Sequence, residues 1–206
     1  MKKSELKSSL TTIGILFVAL LLLGSCNKKE APAAPTNLKA ELNGDCIHLS
    51  WKRVQNAAYY RITVGFQIRD QNNCLLDETY EVFLCETSDH TYNDRYPFDG
   101  MNYYKIEAVN EYGSSPCSEV SCYYANYANT GCVALYPNPT KGNVTIEAAG
   151  MSRIIVTNLL GEVFFEWEVD ADEFVLNMSQ FNSSIYLIRI HTENGEVVKR
   201  AVVMNE

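Results

Sequence analysis

Met101-Asn102-Tyr103-Tyr104-Lys105-Ile106-Glu107-Ala108-Val109-Asn110 decides the fold. Tyr104, Ile106 and Ala108 fall on one face while Lys105 and Glu107 fall on the other, the period of two that a half-buried β-strand requires. The same pattern recurs upstream. Ile47, Leu49 and Trp51 share a face, residues 59–64 follow an Asn56-Ala57 turn, and Gln71-Asn72-Asn73 punctuates a hairpin before residues 79–84. No stretch carries a helical period long enough to predict a helix.

Composition agrees with that reading. The 206 residues allow one large domain or two small ones, and 47% hydrophobic content supplies a core, which excludes a mainly disordered chain. Thirteen tyrosines suit pleated sheets. With 17 basic against 25 acidic residues, net charge −8, the chain lacks the basic excess a phosphate-backbone binder needs, so nucleic acid is not an expected partner.

Residues 36–124 resemble a fibronectin type III domain. The resemblance rests on Pro35-Thr36-Asn37-Leu38, Leu49-Ser50-Trp51, Tyr60-Arg61-Ile62, Thr91-Tyr92-Asn93-Asp94, Tyr104 to Asn110, and Gly113-Ser114-Ser115. It implies a seven-strand sandwich with Trp51 packed between the sheets. One departure stands out: the family's corner tyrosine position falls near Asn102, which leaves the register of the sixth strand open.

Residues 133–206 open on Tyr136-Pro137-Asn138-Pro139-Thr140-Lys141-Gly142. They continue through Ile154 to Gly161, then Ser184-Ile185-Tyr186-Leu187-Ile188, and end on Lys199-Arg200-Ala201-Val202-Val203. This ordered set resembles the C-terminal sorting domain of type IX secretion cargo. The resemblance implies an Ig-like sandwich recognised by the type IX secretion machinery, and it singles out Pro137, Asn138, Pro139, Gly142, Gly161, Tyr186, Lys199 and Arg200. Such domains are often removed at the cell surface. From the residues alone, Pro137 and Pro139 lack ladder donors and fix an extended entry, and Asn194-Gly195 is a hairpin turn that needs positive φ. The expected architecture is all-β: two β-sandwich domains with separate cores, joined by a linker over 125–132. Deleting residues 136–206 would then leave a folded first domain.

The N-terminus carries an address. Lys2, Lys3 and Lys7 precede an apolar run too short to span a bilayer, so residues 1–25 read as a signal peptide. Leu23-Gly24-Ser25-Cys26 resembles the bacterial lipobox, which implies lipid on the Cys26 thiol and attachment to the outer membrane, at the cell surface. Residues 26–35, Pro/Ala-rich, read as a tether.

Six further cysteines, Cys46, Cys74, Cys85, Cys117, Cys122 and Cys132, are an even number in an exported chain and are candidates for disulfides. On the fibronectin-like topology Cys85 and Cys117 form the favoured pair. No C-x-x-C spacing or histidine cluster points to a metal, and no cofactor is expected.

No catalytic motif is present. Asp89, His90 and Ser114 or Ser115 make a poor triad, because neighbouring strand residues point to opposite faces. Asp94 and Asp99, with Asn93, offer oxygens to a Ca²⁺ ion, but ordinary turn chemistry is the simpler reading. The acidic run Glu166, Glu168, Asp170, Asp172 and Glu173 reads as a solvated face that discourages edge pairing. Tyr112, in a turn before the last strand, is the candidate binding residue. Tyr123, Tyr124 and Tyr127 are expected to pack between the domains. The function expected is a non-enzymatic surface lipoprotein that binds a protein or glycan. The alternative is an accessory subunit of an envelope complex.

Overall fold

Alternation becomes strand wherever apolar residues recur every second position. The computed structural model describes residues 29–44, 46–125 and 133–204, and from Ala31 onward these belong to one unit. Cys26, Tyr127 and Cys132 lie outside the described residues. No helix occurs among those described.

In the first sandwich β1 (Lys39–Asn43), β2 (Cys46–Ser50) and β5 (Thr91–Asp94) form one antiparallel sheet in the order β1-β2-β5. The facing sheet contains β3 (Tyr59–Arg69), β4 (Leu75–Thr87) and β6 (Gly100–Asn110), in the order β4-β3-β6. Both β7 (Gly113–Ser114) and β8 (Ser121–Ala125) pair with β6. This is a seven-strand sandwich whose last strand is divided. Between its halves, the hydroxyls of Ser115 and Ser118 accept the backbone N–H groups of Ala108 and Ile106, so β6 keeps hydrogen-bond partners where the ladder breaks.

The core follows the alternation. Leu49, Tyr104, Ile106 and Ala108 are fully buried, and Trp51 meets Tyr60 edge-on at 5.3 Å between the sheets. The register of β6 is now fixed: Tyr104 opposes Val64 and Asn102 opposes Phe66. Asn102 is fully buried, and its amide accepts from Phe98 N–H at 2.9 Å and donates to the carbonyls of Phe98 and Gly100. An amide thus pins the corner backbone at the position where the family's tyrosine was expected.

The terminal domain is built from β9 (Ala134–Tyr136), β10 (Asn143–Asn158), β11 (Val163–Asn177), β12 (Ser184–Thr192) and β13 (Gly195–Val203). The strand order is β11-β10-β12-β13, with β9 also on β10. β9 pairs the start of β10, at Thr145–Glu147, whereas β12 pairs its far half from Met151. One long strand therefore carries β9 on its first half and β12 on its second. It bends where its register with β11 shifts between Glu147 and Met151, at Gly150 with φ 65°. Ala148-Ala149-Gly150 is small enough to turn a corner without ending the strand. Gly195, at φ 117°, makes the expected hairpin turn.

The two cores are not separate, which corrects the expectation from sequence. Ile185 and Val202 of the terminal domain are buried in the core of the first sandwich, while Ala201 and Val203 are buried in their own. The unbroken run Ala201-Val202-Val203 is that of a strand covered on both faces, which reads as continuous apolar sequence and not as alternation.

The junction as candidate functional site

β13 faces the first sandwich with a cation in its apolar run. Arg200 Nη2 donates to Asp94 Oδ1 at 2.6 Å and Nη1 to Asp94 Oδ2 at 3.0 Å, a bidentate pair in which both side chains are almost fully buried. Tyr104 from β6 donates its hydroxyl to Asp94 Oδ2 at 2.8 Å, and Tyr96 N–H donates to Oδ1 at 3.2 Å. The guanidinium also lies 5.5 Å from the ring centre of Phe98, which stacks on Phe66 at 3.7 Å. Burial works against the charge on Arg200, but the Asp94 carboxylate and its hydrogen bonds win, so the group is held above its ordinary range and stays charged. Such a pair is tolerable out of water only while both partners are present.

A second pair flanks the first. Lys199 Nζ donates to both carboxylate oxygens of Asp99, at 2.8 and 2.9 Å. Asn138 closes the junction from the other side. The prolines beside it have no N–H, and its own amide, the donor left between them, goes to Arg69 O at the end of β3, with Arg69 N–H returning to Asn138 O, both at 3.0 Å. Its side chain meanwhile donates to Arg200 O and accepts from Val202 N–H, both at 2.9 Å. A void of about 20 Å³ between these groups is room for a single water, so the contact is closely packed.

Asp94 and Asp99 are therefore neither a cation site nor simple turn caps. They are the receptors of Lys199 and Arg200. The other motif residues are spread out and serve local folding. Gly142 N–H donates to Thr140 Oγ1, Gly161 takes φ 86° in the β10–β11 turn, and Tyr186 donates to Asn182 O while meeting Phe181 edge-on. Sequence reasoning missed Arg69, Phe98 and Tyr104 as partners. The available signal was an arginine placed beside an unbroken apolar run, which demands a buried carboxylate somewhere in the chain.

Beside the junction, β4 and β5 are the edges of their sheets, and the β10–β11 turn comes against them. Together they wall an open groove of about 800 Å³, lined by Phe83, Leu84, Tyr92, Tyr96, Leu159, Leu160 and Leu187 among others. Leu160 is 94% exposed and Phe83 50%, values that leave large apolar groups in water.

The remaining predicted residues lie apart. Tyr112 is exposed in the β6–β7 turn, with no second aromatic ring against it among the described residues, and the neighbouring Glu111 carboxylate pushes its hydroxyl pKa up. Tyr123 packs against the first core, and Tyr124 pairs Met101 through its backbone. Ser115 commits its hydroxyl to Ala108 N–H and Pro116 O, so it is not presented to His90. No disulfide joins any two of the five described cysteines. Cys85 packs inward beside Tyr92, and burial raises its pKa. Cys117 lies on the opposite face of the sheet, close to Glu107. The favoured Cys85–Cys117 pair is therefore corrected: β6 and its sheet stand between the two sulfurs.

Residues 134–204 match the family described as Secretion system C-terminal sorting domain. That domain is the mark of a protein directed to the cell envelope or surface. No curated protein shows significant similarity to the chain. Among solved structures, a Fn3-like protein from Clostridium thermocellum is 22% identical, covering 47% of this chain and 97% of its own, with a TM-score of 0.35. FN3tt mut is 20% identical over 45% of this chain and 94% of its own, at 0.34. The chicken CNTN1 FN1–FN3 domains are 12% identical over 85% and 69%, at 0.31. The fibronectin-like assignment of the first sandwich rests on the strand order given above.

Proposed function

We propose that the protein is a non-enzymatic lipoprotein, anchored in the outer membrane through lipid on Cys26 and displayed at the cell surface, whose first sandwich binds a protein ligand. The sorting-domain match supports the cell-envelope or surface part of this address. The observation that carries the binding role is the apolar groove beside the junction, where Phe83, Leu159 and Leu160 are held in water by two sheet edges and a turn. Exposed apolar surface of this kind suits a polypeptide partner better than a sugar, for which the isolated Tyr112 is a weak platform. The type IX secretion machinery is the expected partner for export.

A second reading has its own support. Val202 of β13 and Ile185 of β12 are buried in the first sandwich's core, which suits an accessory subunit whose terminal domain is a scaffold. Protease shaving of intact cells, with mass spectrometry of released peptides and of the retained N-terminus, separates the two. Peptides from residues 36–204 in the shaved fraction, with a lipidated Cys26 peptide retained, support display. Protection of the whole chain supports the scaffold reading and ends the first.

A further inference from the structure

We infer that the first sandwich is a built receptor for the terminal domain, and that the two stay together as a non-covalent complex when the chain between them is cut. The receptor surface consists of Asp94 held by Tyr104, Asp99, the backbone end of β3 at Arg69, and the Phe66–Phe98 stack. What it takes is the basic, apolar end of β13 with the Pro-Asn-Pro segment beside it. Lys199 and Arg200 meet the two carboxylates, Val202 enters the first core, and Asn138 reaches both sides. These contacts include charged groups with almost no access to water. Their separation would expose apolar surface and leave two charges to be hydrated, and every one of these contacts is made by residues outside the 126–132 link. Scission between Ala125 and Val133 thus removes a tether and leaves the interface intact. The terminal domain is a permanent part of the folded body, and Lys199 and Arg200 are covered while it stays docked. This inference is independent of the ligand and of the export route.

The test uses the full chain with a protease recognition sequence placed within residues 126–131, cut to completion with reductant present so that Cys132 cannot form a bridge. Gel filtration in non-denaturing buffer should show the two fragments co-eluting at the size of the uncut chain, and separating only in denaturant. Separate elution, or precipitation of either fragment, overturns the inference. The cut protein carrying Asp94→Asn should dissociate at least tenfold more readily, and Asp99→Asn, at the more exposed pair, severalfold more readily with a dependence on salt. Circular dichroism of each uncut variant checks that it is folded. If Asp94→Asn fails to fold, Asp99→Asn carries the comparison. Unchanged dissociation in a folded variant overturns the assignment of the ion pairs as the holding contacts.

Discussion

Arg200 and Asp94 lie 106 positions apart and meet through two hydrogen bonds in a site almost without water. Neither domain contains both partners. The pair ties the last strand of the chain to the fifth strand of the first sandwich, and its energetics are asymmetric. Together the two charges compensate each other, but either one alone is a buried ion.

Arg200→Ala should therefore cost about 3–5 kcal/mol, the usual penalty for breaking a buried pair from one side. For a folded body of this size that lowers the melting temperature by roughly 10 °C. Arg200→Met combined with Asp94→Leu removes both charges and should recover most of the loss. Thermal melts of Arg200→Met, Asp94→Leu and the double variant, beside Arg200→Ala, check this. A double variant no more stable than the singles would show that packing, and not charge, holds the site.

Asn102→Ala should cost about 2–4 kcal/mol, because it leaves buried N–H and C=O groups of Phe98 and Gly100 unpaired. Urea unfolding should show a lower midpoint with an unchanged slope. An unchanged midpoint would mean that the corner is held by its neighbours and not by this amide.

These two sites show how much the sequence could tell. Tyr104, Ile106 and Ala108 were legible because alternation reports which face is dry, and Lys199-Arg200 was legible as a motif. Asp94 was legible only as a carboxylate near a turn. Whether it binds a cation, caps the backbone or receives an arginine depends on what arrives from 106 residues away, and one-dimensional periodicity does not encode that. The division between two cores was misread for a related reason. Val202 sits in a run apolar on both faces, and such a run does not say to which neighbour each face belongs.

Tyr136 should ionise late. Its hydroxyl donates to the Glu147 carboxylate, and this bond, with burial, pushes its pKa up from 10.0 to about 12. The neutral phenol is the form that is bonded, so its contribution is complete below pH 10 and is lost as pH rises from there toward 12. Ultraviolet titration of the wild type against Tyr136→Phe should show the missing phenol in the late phase. A missing phenol that titrates near 10 would contradict the bond.

Cys85 and Cys117 should not be found linked to each other. Cys85 faces the interior beside Tyr92 and Cys117 faces outward beside Glu107, and a disulfide needs Cα atoms within about 7 Å and sulfurs directed at each other. Mass spectrometry of an unreduced digest should contain no Cys85–Cys117 peptide. Its detection in folded protein would require the sheet to be rearranged around β6.

Truncation provides the strictest test of the shared core. If the two sandwiches were independent, deleting residues 134–206 would leave the first at full stability. The structure predicts otherwise. Ile185 and Val202 leave the first core, Phe98 loses the guanidinium that lies over its ring, and Arg69 loses its backbone partner at Asn138. Burying an aliphatic side chain contributes about 1.5–3 kcal/mol, so the loss of two is a large part of a small domain's stability. The truncated chain should melt at least 10 °C below the full chain and bind a dye specific for exposed apolar surface. Hydrogen exchange should be faster at the Asp94–Asn102 end than around Trp51, which lies away from the cut face. A truncated chain that melts within about 2 °C of the full one, without dye binding, would restore the picture of two separate domains. Loss of surface display in the same deletion could then be assigned to the missing address alone.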